Sequence, residues 1–241
     1  AIGSDALAQI TTGNDNVCLG SSAGYALTTA NKVVFIGRQA GDAVTTTGGS
    51  NVSDGTVAIG YQALTALTSG AGNVAVGYQA GLALTDSQYN TVVGYQALIA
   101  DDQSDRTTAI GFKSLMNQNG GTGNSGNTAV GYATGFENVT GTGNTWLGYQ
   151  AGLGGTGSNS NNVGIGSDAL VAITTGSHNT AVGYQAGDSI TDGNSNVLIG
   201  RGTGVAMTSQ DEMVLIGNDA GAAINHDDAD GTIAIGYNAG L

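Results

Sequence analysis

The sequence predicts an all-β protein folded as a parallel β-solenoid, and three observations lead to this fold class. Of its 241 residues, 43 are glycine and none is proline. Hydrophobic residues still make up 40% of the chain, more than a disordered glycine-rich segment would contain. A glycine preceded by an aliphatic residue recurs fourteen times, and nine of the thirteen intervals between these glycines are 17 residues long. Such a period is typical of stacked repeats.

The repeats align on this motif glycine, which is position 0 below. Position −1 is always Ile, Val or Leu, position −3 is Val, Ile or Thr, and position −4 is Asn in eight of thirteen repeats. Alternating β-branched residues predict a short strand, and we expect positions −1 and −3 to be buried. The glycine suits a bend or a close approach of two backbones. The motif glycines are Gly3, Gly20, Gly37, Gly60, Gly77, Gly94, Gly111, Gly131, Gly148, Gly166, Gly183, Gly200, Gly217 and Gly236.

A second apolar position follows each glycine by seven residues in nine of thirteen repeats, as at Leu27, Leu84 and Ile190. Runs of Thr, Ser, Gly and Asn come next and predict turns. Each repeat is therefore one coil, and coils this short must stack to bury their apolar residues. We predict about fourteen 17-residue coils in a single repetitive segment, 1–241. Because both chain ends lie inside a motif, we expect this segment to belong to a longer fibre protein.

Position +7 becomes polar between residues 101 and 161. Asp101, Gln118, Asn138 and Gly155 stand where other repeats carry an aliphatic residue. We expect this part of the stack to be the most weakly packed.

The charge and the single cysteine exclude several classes of protein. Eighteen acidic and five basic residues give a formal net charge of −13, which repels nucleic acid and anionic membrane surfaces. No apolar stretch is long enough for a membrane-spanning helix, so we expect no membrane insertion by this segment. One cysteine, Cys18, allows neither an internal disulfide nor a cysteine-based zinc site.

Nothing in the sequence indicates an enzyme or a cofactor. His178 and His226 are far apart and neither belongs to a nucleophile motif. The acidic runs 101–105 and 227–230 could supply oxygen ligands to calcium, but neither matches a known calcium loop. We interpret both runs as solvated loops, and we expect no metal and no cofactor.

Position +1 carries seven of the nine tyrosines, including Tyr61, Tyr78 and Tyr95. This column is either a glycan-binding aromatic strip or a stack that joins one coil to the next, and we favour the stack. Glutamine at position +2 predicts a ladder of side-chain amides. Asparagine at position −4 is suited to satisfy backbone groups of the turns.

Two insertions, in residues 43–55 and 112–127, interrupt the 17-residue period with Thr, Gly, Ser and Asn. Insertions of this kind map to surface loops on one edge of a solenoid, where binding commonly resides. We therefore predict that a receptor, either a host-surface glycan or a protein, contacts these two loops. The predicted contact residues are Thr45, Ser50, Asn51, Ser53, Asp54, Asn117, Asn119 and Asn124.

The motif Asn-Thr-Ala-Val-Gly-Tyr-Gln-Ala-Gly at residues 179–187, with its variants at 56–64 and 73–81, resembles the head repeats of trimeric autotransporter adhesins. Closely similar repeats occur in phage tail fibres. The resemblance implies a left-handed β-roll, a side-by-side homotrimer of parallel chains, and an adhesive or stalk function.

A physical argument also favours the trimer. A thin coil with two apolar faces leaves an aliphatic stripe exposed on a single chain, and such patches usually meet a partner. We therefore expect an extracellular fibre segment, on a virion or a bacterial surface. The alternative is an ice-binding solenoid, since threonine pairs recur in the turns, as at Thr11-Thr12 and Thr174-Thr175.

Overall fold

The computed structural model describes residues 1–45, 53–121, 123–154 and 157–240. The chain is an all-β parallel β-solenoid of about 12 turns, with a spacing of about 17 residues. This confirms the predicted fold class and period, with somewhat fewer turns than the fourteen expected from the motifs. The chain divides into two compact units, Ala1–Gly126 and Asn127–Leu241, and each is described by itself.

In the first unit every repeat contributes one short parallel strand. β1, β2, β3, β4, β5 and β7 pair in that order, each with the next, and Ile2 adds a parallel bridge to Leu19. β6 and β8 form a separate two-stranded parallel pair. The strands are β1 (Val17–Leu19), β2 (Val34–Ile36), β3 (Val57–Ile59), β4 (Val74–Val76), β5 (Thr91–Val93), β6 (Ser104–Asp105), β7 (Thr108–Ile110) and β8 (Gly123–Asn124).

The second unit repeats this arrangement. Its strands pair in parallel from β9 to β15, each with its successor, and a single 3-10 turn, Asp227–Ala229, precedes the last strand. The strands are β9 (Thr128–Val130), β10 (Thr145–Leu147), β11 (Val163–Ile165), β12 (Thr180–Val182), β13 (Val197–Ile199), β14 (Val214–Ile216) and β15 (Ile233–Ile235).

The register places equivalent positions of successive turns directly above one another. In β4 and β5, Ala75 lies opposite Val92 and Val76 lies opposite Val93. Each position of the repeat therefore forms a ladder along its unit, with neighbouring rungs about 4.8 Å apart. This spacing decides which residues are allowed at each position.

The motif glycine is required by this spacing. Gly77 has a φ of +139°, and a Cβ atom built there would lie 2.3 Å from the carbonyl oxygen of Gly94 in the next turn. No side chain fits at that distance, so the predicted close backbone approach is confirmed.

Left-handed backbone conformations bend each turn at three further positions, −5, +2 and +4. Tyr89, Gln79 and Leu64 show the three cases, with φ values of +59°, +54° and +51°. This conformation costs a side-chain-bearing residue about 1–2 kcal/mol. Position +4 contains only glycine or leucine across the repeats that the chain completes. Leucine is tolerated there because its side chain is fully buried, as Leu64 shows.

The interior is lined by positions −2, +3, +4 and +7, and not by positions −1 and −3 as the sequence predicted. The strands alternate in burial, but the central residue faces inward, so positions −1 and −3 are half-buried or exposed. In β5, Val92 at position −2 is completely buried while Val93 at position −1 is only partly covered. The prediction for positions −1 and −3 was therefore wrong. The interior is narrow, and alanine at −2 and +3 fits it better than larger residues.

Where the interior holds a large side chain, neighbouring positions carry glycine. Trp146 occupies position −2 of β10 and is completely buried. A Cβ atom at Gly152 or Gly164 would lie 2.3 Å or 2.7 Å from its indole ring. Most aliphatic residues at +7, including Leu27, are buried as predicted, whereas Ile10 and Ile224 are half-buried. No helix among the described residues is long and apolar enough to cross a membrane.

Candidate functional site

The outward side of the strands forms an apolar surface, the strand face, made of positions −3 and −1. Its residues are Val, Thr, Ile and Leu, and none carries a charge. Leu19 and Leu147 are 44% and 45% exposed in their units. An uninterrupted ladder of such residues is a larger apolar patch than scattered surface leucines. The strand face in each unit is therefore a surface suited to bind a partner.

A second apolar surface, the turn face, consists of positions +5 and +6. Position +5 carries large side chains, and position +6 is mostly alanine; both are half-buried in most turns. The large apolar residues are Tyr25, Leu82, Ile99 and Met116 in the first unit, and Phe136, Leu153, Val171 and Val205 in the second. Sequence reasoning missed this face. The recurrence at +5 was visible, but whether it pointed inward could not be read from the period.

The remaining side of each turn, from position +8 to −5, is polar and forms the polar face. The hydroxyl of the first threonine in a run donates to the carbonyl oxygen of the next turn, as from Thr68 to Thr85 at 2.9 Å and from Thr174 to Thr191 at 2.9 Å. These hydroxyl groups are engaged within the chain. Most turns thus have two apolar sides and one polar side.

The tyrosines at position +1 form stacks between the strand face and the turn face. Ring centroids are 5.3 Å apart for Tyr61 and Tyr78, and 5.0 Å apart for Tyr78 and Tyr95, with interplanar angles of 13° and 8°. A similar pair, Tyr132 and Tyr149, lies in the second unit at 5.2 Å. Within these pairs the ring faces cover one another, so the stacked faces are not open to a sugar. The structural interpretation of this column is confirmed.

The predicted glutamine ladder is also present. The Gln62 side-chain amide donates to Gln39 at 3.2 Å, Gln79 donates to Gln62 at 3.1 Å, and Gln96 donates to Gln79 at 3.0 Å. Each bond joins one turn to the next, so the ladder stiffens the stack along its length.

The asparagines at position −4 form a buried ladder that satisfies backbone groups, as predicted. The backbone N–H of Asn90 donates to Oδ1 of Asn73 at 3.0 Å, and Nδ2 of Asn73 donates to the carbonyl oxygen of Ser87 at 2.7 Å. The second unit shows the same pattern, with the N–H of Asn179 donating to Oδ1 of Asn162 at 2.9 Å. These side chains hold the polar face to the core.

A buried polar cluster replaces the apolar residues at +7 in the first unit. Nε2 of Gln118 donates to Oδ2 of Asp101 at 2.7 Å, and the N–H of Ser104 donates to Oδ1 of Asp101 at 3.1 Å. Burial raises the pKa of the Asp101 carboxyl, against the lowering effect of these hydrogen bonds. Asp101 is therefore not part of a solvated loop as expected, since the coil carries it into the core. In the second unit Asn138 is buried at the equivalent position.

The first insertion contributes less surface than predicted. The N–H of Thr45 donates to the carbonyl oxygen of Thr68 at 2.9 Å, so Thr45 continues the threonine ladder. Asp54 accepts a 2.7 Å hydrogen bond from the N–H of Asn31 and caps the preceding turn. Ser53 is completely buried, which leaves it no surface for a receptor. Ser50 and Asn51 lie outside the described residues.

The second insertion provides two exposed candidates. Asn119 is exposed, and Asn124 is exposed in β8, where its Oδ1 accepts a hydrogen bond from Nη1 of Arg106. Asn117 is half-buried at position +6 and so belongs to the turn face. Of the predicted contact residues with a described position, Asn119 and Asn124 are the most accessible.

Charged residues lie on the turn face at Asp42, Asp188 and Glu137, and beside it at Arg38 and Arg201 in position +1. Asp42 and Asp188 occupy position +5, and burial raises the pKa of both carboxyl groups. Oδ1 of Asp42 is buried without a hydrogen-bond partner. Arg38 lies over the ring of Tyr61 at 5.7 Å, and Arg201 pairs with Asp219 at 3.6 Å.

The residues with metal-binding or nucleophilic chemistry are dispersed. Among the described residues, no three His, Cys, Asp or Glu side chains are grouped so that they could hold a metal ion. Cys18 is buried, and burial raises the pKa of its thiol to about 11, which disfavours the reactive thiolate. His178 contacts Asn161 at 3.4 Å, and His226 contacts Asp228 at 3.7 Å.

No protein-family model matches the chain, and no curated protein matches it. Its class therefore follows from the fold and the ladders alone. The chain is a parallel β-solenoid repeat protein with turns of about 17 residues.

Proposed function

We propose that this chain is a non-enzymatic, structural and adhesive segment of an extracellular fibre, formed by three parallel copies packed side by side. The observation that carries the proposal is the division of most turns into two apolar sides and one polar side. The fibre belongs to a phage tail or to a bacterial surface, in keeping with the resemblance of the Asn-Thr-Ala-Val-Gly-Tyr-Gln-Ala-Gly motif.

The two apolar sides favour three chains over one or two. A single chain would leave both the strand face and the turn face in water, although monomers rarely expose large contiguous apolar patches. A symmetric dimer with one shared face would cover only one of them. In a closed ring each chain has two neighbours, so both apolar faces are covered and the polar face remains in solvent.

The ladders suit such a segment to mechanical reach. Stacked tyrosines, the glutamine amides and the buried asparagines each connect a turn to the next one. A turn can then bend away only by breaking several contacts at once. This supports a stiff spacer that holds a binding tip away from a surface.

Receptor contact is assigned to the insertions, because the ladder positions are constrained by stacking. Asn119 and Asn124 are exposed, and amide side chains can donate to and accept from the hydroxyl groups of a glycan or the backbone of a protein. The ice-binding alternative has less support, since the first threonine of a pair donates its hydroxyl to a carbonyl group of the next turn, as Thr174 does to Thr191.

Excision of the insertions tests the adhesive role. Deleting residues 46–51 restores the 17-residue spacing at the first site, and deleting residues 119–121 restores it at the second. The second deletion is combined with Asn124→Ala, so that both exposed asparagine amides are removed. We expect both variants to keep the mass and circular dichroism of the wild type while binding to host cells or a glycan array decreases. A scrambled insertion of the same composition is the matched control. Full binding by the double-deletion variant would contradict the assignment.

A further inference from the structure

We infer that the turn face of each copy packs against the strand face of the next, and that Asp42 and Asp188 of one copy pair with Arg38 and Arg201 of its neighbour. This inference rests on the proposed trimer and specifies how its three chains meet. It makes the contact heterologous, joining two different faces around a closed ring.

The shapes of the two faces are complementary. The turn face alternates a column of large side chains at +5 with a column of alanines at +6, as Leu82 and Ala83 illustrate. This gives a ridge beside a groove. The strand face presents an aliphatic column at −1 and a column of Val, Thr and Ile at −3, as Val76 and Val74 in β4 illustrate; these can enter such a groove. Both faces expose ordinary aliphatic side chains, so close packing decides the strength of the contact.

The repeat itself identifies the occupant as a second copy of this chain. Rungs on both faces recur once per turn, at about 4.8 Å. A parallel copy has the same rise, so every rung meets an equivalent rung along the contact. An unrelated globular protein lacks this spacing and would match only a few rungs.

The charged residues support the same pairing. Position +5 contains two charged residues in the whole chain, Asp42 and Asp188, and position +1 contains two, Arg38 and Arg201. Asp42 and Arg38 follow the same motif glycine, Gly37. Asp42 as a whole is only half-buried, so part of this residue is open to a neighbouring copy. A neighbouring parallel copy brings Arg38 to the height of Asp42.

The second pair is displaced by a single turn. Asp188 follows Gly183, and Arg201 follows Gly200. One turn corresponds to about 4.8 Å, which an arginine side chain can span. Most other turns carry an aromatic residue at +1 where these two carry arginine. In both pairs, the aspartate at +5 and the arginine at +1 therefore lie within one turn of each other along the stack.

Cysteine cross-linking tests the contact between faces. In a Cys18→Ala background, Val76→Cys labels the strand face and Leu82→Cys labels the turn face of the same turn. Under mild oxidation, we expect the double variant to run as a covalent trimer on a non-reducing gel, and each single variant to remain at or below a dimer. The control pairs Val76→Cys with Thr85→Cys on the polar face, and should give no covalent trimer.

The outcomes separate this inference from the proposed function. If the Cys18→Ala protein sediments as a monomer, the trimer itself fails. If it sediments as a trimer but the double variant gives no covalent trimer, only the pairing of the faces is overturned. Efficient dimers from Val76→Cys alone, with no trimer from the double variant, would indicate strand face against strand face and would also overturn it.

Charge reversal tests the ion pairs. We expect Asp42→Arg or Arg38→Asp alone to weaken the trimer at least about tenfold, as close interfacial charge pairs do elsewhere. The double reversal, which restores opposite charges, should recover most of the affinity. Circular dichroism of each variant shows whether it folds. If the loss of trimer affinity in the double variant equals the sum of the losses in the two single variants, the proposed pairs are wrong.

Discussion

Replacing Val92 or Val93 by alanine separates the inside of the solenoid from its outside within a single strand. Val92 is completely buried at position −2, whereas Val93 at position −1 points outward. The same chemical change is made at neighbouring positions, so the two variants control for each other.

The expected losses in the free energy of unfolding differ because Val92 is completely buried and Val93 is only partly covered. Val→Ala removes two carbon atoms, and each buried methylene contributes about 0.8 kcal/mol. The loss at Val92 is therefore about 1.6 kcal/mol, and the cavity left in a narrow core raises it to about 2–3 kcal/mol. For Val93 we expect less than about 1 kcal/mol for the folding of the single chain, because part of its surface is already in water.

Urea unfolding and sedimentation provide the assay. Val92→Ala should lower the unfolding midpoint at every protein concentration. Val93→Ala should leave the unfolding of the dissociated chain nearly unchanged and raise the concentration at which the trimer dissociates. Equal shifts in the unfolding of the dissociated chain, or a larger shift for Val93→Ala, would refute the assignment of position −2 to the core.

Three further predictions follow from the core. Gly164→Ala should lower the free energy of unfolding of the wild type by about 2–4 kcal/mol, because the added methyl group meets the Trp146 ring. In a Trp146→Ala background the same substitution should have little effect. An equal loss of stability in both backgrounds of this double-mutant cycle would exclude the clash. Gly77→Ala should prevent folding or cost several kcal/mol, judged by thermal melting, since its Cβ would lie 2.3 Å from a carbonyl oxygen; a near-native melting temperature would contradict the close stacking. Burial raises the pKa of Asp101 above its ordinary value of 3.8, so its contribution to stability is most favourable below pH 3.8 and is lost as pH rises through the folded-state pKa. In urea titrations, the stability of Asp101→Asn should therefore rise relative to that of the wild type as the pH increases above 3.8. A difference that stays constant with pH would show that Asp101 does not titrate as described.

The period of the solenoid could be predicted because the positions that repeat tolerate few residue types. Glycine at position 0 has no alternative where the next carbonyl oxygen lies so close, as at Gly77. Asparagine at −4 and glutamine at +2 bond to copies of themselves in adjacent turns, so their recurrence indicated the ladders directly.

The direction of the side chains could not be predicted from that period. Alternation along Thr91-Val92-Val93 gives two possible phases, and all three residues are compatible with either. The width of the interior decides which of the two phases is adopted. That width is fixed by left-handed backbone conformations at positions such as Leu64 and Gln79, which no propensity rule indicates. The turn face was missed for the same reason.

The contact residues were the least predictable part. Ser53 and Thr45 look like loop residues in the sequence, yet one is buried and the other continues a ladder. An insertion extends only a few residues beyond the regular turn, and its flanks are bound to the neighbouring turns. Asn119 and Asn124 remain accessible because they lie in the added segment itself.

The mass of the particle in solution tests the central claim most directly. Sedimentation equilibrium at micromolar concentration requires no label and no knowledge of the receptor. The trimer predicts a single species of three times the chain mass of 23.6 kDa. A species of 23.6 kDa over the whole concentration range would contradict it, because both apolar faces would then be stable in water.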